Sequence, residues 1–327
     1  MSCLPNRFRS TPSTPGGVFF CAFAFLLYAC ILSGCRVSGG VHVDEEAGLD
    51  QLLDTTRAFI QPQQLQQVID EPNLVLLHVG HGQRGYQRGH IPGARYVDFK
   101  EIMQLERDGL KSELPSPEDF EKRIAGWGVT PASTVVLYGD AAGVFPARLY
   151  VTMKHYGCGD RVRLLNGHLR GWAGQGRKLA TGGMLGVKGS GVNGTVEIKA
   201  EGVPSVVVST GDVEDALEKR DATILDVRPE DQYAGVKKGS GVIMAGRVPG
   251  AVNMPWQRMV TGVKPPWLAD KGQLRSDLVA VGVTPDRPVI VYDAQGMHSS
   301  LAFAVLEELG YSVSLYDGGY AAWSKSR

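Results

Sequence analysis

The strongest constraint on this chain is an internal repeat of long period. Gly128-Val129-Thr130-Pro131 and Val135-Val136-Leu137-Tyr138 recur as Gly282-Val283-Thr284-Pro285 and Val289-Ile290-Val291-Tyr292, both offset by 154 residues. A period of that size marks duplicated domains, because solenoid repeats are far shorter. Other parts of the unit repeat as well. Leu74 to Val79 and Thr223 to Val227 are short apolar runs of the kind buried on both faces of a sheet. Each is followed by a tyrosine and a turn, Gly89-His90-Ile91-Pro92-Gly93-Ala94 in the first half and Gly246-Arg247-Val248-Pro249-Gly250-Ala251 in the second. Each half closes on a strand, a glycine turn and a tryptophan: Val162 to Leu165 with Asn166-Gly167 and Trp172, then Val313 to Tyr316 with Asp317-Gly318-Gly319 and Trp323.

Between these strands lie stretches predicted to be helical, Ser116 to Trp127, Pro146 to Tyr156, Thr210 to Lys219 and Ser299 to Leu309. Strands alternating with helices predict an α/β fold of parallel sheets covered on both faces. Ser116 and Thr210 are expected N-caps, and Gly157 and Gly310 expected helix stops. The glycine-rich stretch 181–204 reads as the linker between a first domain at 58–180 and a second at 205–327.

The N-terminus differs in kind. Arg7 and Arg9 precede an apolar run from Val18 to Leu32, which leads into Leu32-Ser33-Gly34-Cys35. The run is short for a membrane span and reads as a secretory signal over residues 1–34. The segment resembles a bacterial lipobox, which implies cleavage before Cys35, lipidation of that thiol and a tether over 35–57. Arg36 stands where, by resemblance to enterobacterial sorting, an aspartate would hold a lipoprotein at the inner membrane, so outer-membrane placement is expected. Cleavage removes Cys3, Cys21 and Cys30 and lipidation consumes Cys35, leaving Cys158 with no intrachain disulfide partner. Lysine plus arginine and aspartate plus glutamate both number 34, a balance with no broad cationic face for nucleic acid. The expected partners are the membrane, through the lipid at Cys35, and a protein of the envelope.

Leu225-Asp226-Val227-Arg228, the two Pro-Gly-Ala turns, Ala251-Val252-Asn253-Met254-Pro255-Trp256, the Gly-Val-Thr-Pro repeats and Tyr316-Asp317-Gly318-Gly319 with Trp323 together resemble tandem-domain rhodanese-like proteins. That family contains the thiosulfate and 3-mercaptopyruvate sulfurtransferases. The resemblance covers about residues 55 to 327 and implies two rhodanese-like domains, each a mainly parallel five-stranded sheet with helices on both faces, and no cofactor. It also implies an active loop of the form Cys-x-x-Gly in the second domain, whose thiolate becomes a persulfide.

Here that loop is Asp293-Ala294-Gln295-Gly296-Met297-His298. Gly296 is kept, but Asp293 stands at the cysteine and His298 at the last position. A carboxylate cannot carry a persulfide, and its charge opposes an anionic sulfur donor by on the order of several kcal/mol in a poorly hydrated pocket. The loop amides and the helix dipole should therefore be satisfied by Asp293 itself, with a depressed pKa. Gln232 precedes Tyr233 where the resembling enzymes commonly place an arginine that grips the substrate anion. Asp226, Arg228, Gln232 and Arg247 are the residues expected around the substrate pocket, while Lys237, Lys238 and Arg258 read as solvated surface.

The first-half loop, Tyr138-Gly139-Asp140-Ala141-Ala142-Gly143, has Gly139 at the cysteine position. Cys158 lies away from both loops and reads as structural. His78, His81 and His90 fall on a strand, a loop and a turn, which is a poor ligand set, and no metal is expected. Hydrolysis through Asp293 and His298 is disfavoured because the Cys-x5-Arg loop of phosphatases on this fold is missing. The expected function is a catalytically degenerate sulfurtransferase homologue serving as a binding or assembly module of an envelope redox or sulfur-handling complex. The rival is an active sulfurtransferase using thiosulfate or 3-mercaptopyruvate by a non-standard route, through Cys158 or by holding a sulfur species for another protein.

Overall fold

The computed structural model describes residues 57–140, 142–183, 205–262 and 265–327. The signal segment, Cys35 and nearly all of the tether and linker lie outside the described residues. Those described belong to one compact unit. The first half supplies β1 (Phe59–Ile60), β2 (Leu74–Gly80), β3 (Arg95–Asp98), β4 (Thr134–Tyr138) and β5 (Val162–Leu165). The second supplies β6 (Val207–Val208), β7 (Thr223–Asp226), β8 (Val252–Asn253), β9 (Val289–Tyr292) and β10 (Val313–Tyr316). The five-stranded sheets run β1-β5-β4-β2-β3 and β6-β10-β9-β7-β8, the same order twice. All pairings in both are parallel.

The register carries the repeat down to single residues. His78 lies beside Tyr138 in the first sheet, as Asp226 lies beside Tyr292 in the second. The Tyr138 hydroxyl accepts from the Ile91 amide at 3.0 Å, and that of Tyr292 from the Val248 amide at 3.1 Å. Tyr86 and Tyr233 each donate to the carbonyl of the alanine ending the Pro-Gly-Ala turn, both at 2.7 Å. A buried phenol needs a polar partner, so each turn is tied to its sheet by the same bonds.

Four helices matter for the site: α1 (Pro117–Gly126), α2 (Val144–His155), α3 (Thr210–Lys219) and α4 (Met297–Glu308). Ser116 caps α1 through the Asp119 amide, as expected. Ser209, not Thr210, caps α3: its hydroxyl meets the Asp212 amide, whose carboxylate reaches back to the Ser209 amide at 2.7 Å. Thr210 begins the helix, and its hydroxyl bonds instead to Tyr316 at 2.7 Å. Gly157 and Gly310 follow their helices with φ of 73° and 84°, the left-handed stop that glycine allows. Helices α2 and α4 begin two residues earlier than the pattern predicts, because the active-loop glycines Gly143 and Gly296 are themselves the N-caps.

Helices α2 and α4 have no fully exposed residue and are buried or half-buried along their whole length, with mostly apolar side chains and a few polar ones such as Arg148 and Ser299 among them. They pack together, and one apolar cluster runs through them from the first half into the second. Two of the polar bonds across this seam are repeat-related, and others run one way to Glu307 and Glu308. The Leu114 amide donates to Asp317 at 3.1 Å, and the Leu268 amide to Asn166 at 2.8 Å. Tyr150 donates to Glu307 at 2.6 Å, which also pairs with Lys154 at 2.7 Å. The Ala58 and Phe59 amides both donate to Glu308.

Deepest of all is Arg148, fully buried in α2, whose guanidinium meets Asp317 of the second half at 2.5 Å and donates to the Ser112 carbonyl. A buried ion pair broken on one side leaves an uncompensated charge. Arg148→Met should therefore lower unfolding free energy by about 3–5 kcal/mol in urea denaturation, and adding Asp317→Asn should recover part of that loss. Additive losses from the two substitutions would show that the charges do not interact.

Candidate functional site

The loop after β9 is positioned from below. Tyr320 and Ala321 donate their amides to the carbonyls of Asp293 and Ala294 at 2.8 and 3.0 Å, so the first turn of the helix after Asp317-Gly318-Gly319 holds the loop as a platform. Gly296 has φ of 80°, and a Cβ there would stand 2.7 Å from the Asp317 carboxylate and 3.0 Å from the Arg148 guanidinium. Only glycine fits. The ion pair joining the halves is thus also the floor of the loop.

Asp293 is 3% exposed and points its carboxylate into the loop it begins. Oδ1 accepts from the Gln295 amide at 3.1 Å, the Gly296 amide at 2.6 Å and the Ser299 hydroxyl at 3.1 Å. Oδ2 accepts from the His298 amide at 2.9 Å and from His298 Nδ1 at 3.2 Å. Burial by itself pushes this carboxyl up, but the His298 bond and charge and the amides of His298 and Gln295 more than offset it, holding the pKa at about 2. The anion cradle at the start of α4 is filled by the chain's own side chain. Ser299, one turn into that helix, was not singled out from sequence, since a serine within an apolar helical pattern gives no signal until the fold turns it toward the loop.

Beside Asp293 lies a cavity of about 330 Å³. Of the four residues expected around the pocket, Arg228 and Gln232 line it and Asp226 and Arg247 do not. Asp226 is fully buried, accepting from the Arg228 amide, from Arg228 Nε and from the Tyr292 hydroxyl. The Arg228 guanidinium is held by that carboxylate at 2.5 Å and by the Gly246 carbonyl at 2.8 Å, with its carbon 4.1 Å from the Tyr320 ring centre. Its charge is neutralised inside the fold. Arg247 is exposed, covering the Tyr233 ring at 4.5 Å, because the turn that carries it faces solvent. Trp256, which ends the Ala251–Trp256 motif, stacks on the His298 ring at 4.8 Å.

The first-half loop is closed in a different way. A Cβ on Gly139 would come within 2.8 Å of the Val79 carbonyl, so no side chain stands there. The next residue, Asp140, meets the buried His78 Nε2 at 3.1 Å. His90 stacks on Tyr86 with its Nδ1 at 2.9 Å from the Tyr86 carbonyl, and His81 stacks on Phe99. His78 also meets the Tyr86 ring edge-on at 5.6 Å, and no metal-binding cluster of three or more His, Cys, Asp or Glu occurs among the described residues.

The depressed pKa has a consequence for acid stability. Protonation favours the unfolded chain, where the carboxyl titrates near 3.8, so stabilisation by Asp293 is complete above that value and is lost as pH falls toward 2. The loss expected is about 2 kcal/mol, read from urea melts between pH 5 and 2, and Asp293→Asn should remove this part of the pH dependence. An Asp293 carboxyl titrating at 4 or above by NMR would contradict the self-filled cradle.

A family model described as Rhodanese-like domain matches residues 61–175 and again 209–326. The thiosulfate sulfurtransferase of Pseudomonas aeruginosa is 30% identical over 271 residues, covering 81% of this chain and 93% of that protein. The sulfur carrier protein TtuD of Thermus thermophilus is 29% identical over 269 residues, covering 79% and 90%. Among solved structures, the 3-mercaptopyruvate sulfotransferase SseA from Escherichia coli superposes with a TM-score of 0.67 at 26% identity, covering 80% of this chain and 98% of that one. With both halves matched and the relatives spanned almost end to end, the chain belongs to the rhodanese-like family and carries the domain twice, as a homologue of its sulfurtransferases.

Proposed function

We propose that this protein is a rhodanese-family module of the bacterial envelope whose sulfurtransferase centre no longer transfers sulfur and is kept for binding or assembly. The observation that carries this reading is the Asp293 carboxylate, held by five donors where a thiolate or persulfide would be needed. Sulfur transfer requires a nucleophile able to form and release an S–S bond, and a carboxylate oxygen does neither. Electrostatics adds a second bar, since the nearby guanidinium of Arg228 is neutralised by Asp226 and Gln232 carries no charge. An anionic donor entering the cavity would meet a carboxylate without a free cation beside it.

A route through Cys158 is disfavoured. Burial pushes its thiol up to about 11, so little thiolate exists at neutral pH. It also sits beyond the far end of α2, a helix about 18 Å long that starts at the first-half loop, and it lines neither cavity beside His298. The relatives include a protein named as a sulfur carrier and enzymes named as sulfurtransferases, and the retained scaffold fits a partner drawn from sulfur or redox handling. A lipid at Cys35 would hold the body at a membrane face, by the lipobox reading at the outer membrane, and raise its effective concentration toward an envelope partner.

Thiocyanate formation from cyanide with thiosulfate or 3-mercaptopyruvate tests the catalytic reading. The native protein and Cys158→Ser should both be inactive, while Asp293→Cys should gain weak turnover, limited by the uncharged Gln232. Native turnover that disappears in Cys158→Ser would overturn this reading. For placement, Cys35→Ser should move the protein from the membrane to the soluble fraction, and unchanged membrane association would remove the lipid anchor.

A further inference from the structure

The chemistry left at the loop is an imidazole oriented by a carboxylate. Asp293 is ionised and can only accept hydrogen bonds, so the ring nitrogen 3.2 Å from it, His298 Nδ1, must carry the proton. In the neutral ring the opposite nitrogen, Nε2, is then a lone-pair acceptor. No polar atom among the described residues is bonded to it, and the side chain is 45% exposed. Its plane is set by the Trp256 ring at 4.8 Å. Carboxylate, imidazole and indole thus fix a base in one orientation.

This base stands at a boundary. His298 and Met297 line both the 330 Å³ cavity and a second one of about 470 Å³, which reaches across to the first-half loop. The walls of the larger cavity are mainly apolar, with Val79, Val144, Phe145 and Pro146 among them, and Phe145 packs on Phe99 at 5.0 Å. Apolar walls with a few convergent polar groups are the usual form of a small-molecule site, and this volume is within the range of such sites and leaves ample room for an aromatic ring with substituents. Among the lining groups that could titrate besides His298 are Asp140, whose Oδ1 is met by His78, and His81, stacked on Phe99. Asp293 stands behind His298, and Asp140 across the cavity also feels Arg88 and Arg170, so an anion is opposed beside a neutral His298 but is balanced once the ring has taken a proton, which matches a neutral ligand able to give one up.

We propose that Asp293 and His298 form a carboxylate–imidazole dyad that binds a small, neutral phenol- or thiol-type acid in the cavity between the two halves and takes its proton on Nε2. The O–H or S–H bond of the ligand breaks, its electron pair stays on oxygen or sulfur, and the proton forms a new N–H bond. The resulting imidazolium is held by Asp293, and no net charge is created. Proton acceptance needs only these two side chains and the cavity, so it stands or falls separately from the loss of sulfur transfer.

The probe is 4-nitrophenol, whose ionisation is read by absorbance, added to the full-length protein. The dye should bind, and its ionisation midpoint should fall by about one pH unit on binding. His298→Gln, altered at a half-exposed position, should still bind the dye through the apolar walls but leave the midpoint at its free value. Failure to bind at millimolar dye, a midpoint unchanged in the native protein, or an equal shift in His298→Gln would each overturn the assignment. A proton–nitrogen correlation spectrum gives an independent reading: the neutral ring should be protonated on Nδ1, and protonation on Nε2 would rule the dyad out.

Discussion

A buried guanidinium of the first half meets a carboxylate of the second directly beneath the left-handed glycine of the active loop. Burying one charge alone would be very costly, so Arg148 and Asp317 bind the halves together at one point and one distance. The same two residues leave no space for a side chain on Gly296. The helix that follows the Asp317 turn then supplies the amides of Tyr320 and Ala321 that hold the loop backbone. Domain pairing and loop geometry are therefore one constraint, satisfied by one cluster of residues.

On that platform the loop does what a strand–loop–helix junction always tends to do, which is to gather amide donors around an anion. The identity of the anion is the variable. In a sulfurtransferase of this family it belongs to a sulfur species that comes and goes; here it is covalently part of the chain and has a pKa of about 2. A cradle occupied in this way is rigid and electrostatically complete, and it turns its remaining chemistry outward through His298. The buried Asp226–Arg228 pair acts in the same sense, because it leaves the neighbouring cavity without the free positive charge that an anionic substrate would seek.

Much of the architecture was legible because it rests on local rules applied twice. The three inner strands of each sheet followed from short apolar runs, whereas the edge strands, mostly two residues long, left no such run, and the helix ends at Gly157 and Gly310 followed from the need for positive φ. Errors arose where one residue type could play two parts. Thr210 looked like a cap, but Ser209 has the extended backbone that a cap requires, with Asp212 to reciprocate. Helices α2 and α4 start before their apolar pattern does, because a glycine within a loop pattern does not announce itself as an N-cap. Arg228 and Arg247 looked alike as cations beside the pocket, yet one is neutralised inside and the other lies over Tyr233 in solvent.

The sequence by itself determined the duplication and the parallel α/β architecture, since both follow from residue identity and spacing along the chain, and its resemblance to the family placed Asp293 where a cysteine is expected. Only the tertiary structure decided which donors surround that carboxylate, which cations remain free to meet a ligand, and that Met297 and His298 face cavities on both sides. Those depend on groups far apart in sequence, such as Arg148 with Asp317 and Trp256 with His298, whose meeting is fixed by packing and by the cost of leaving a buried charge unpaired.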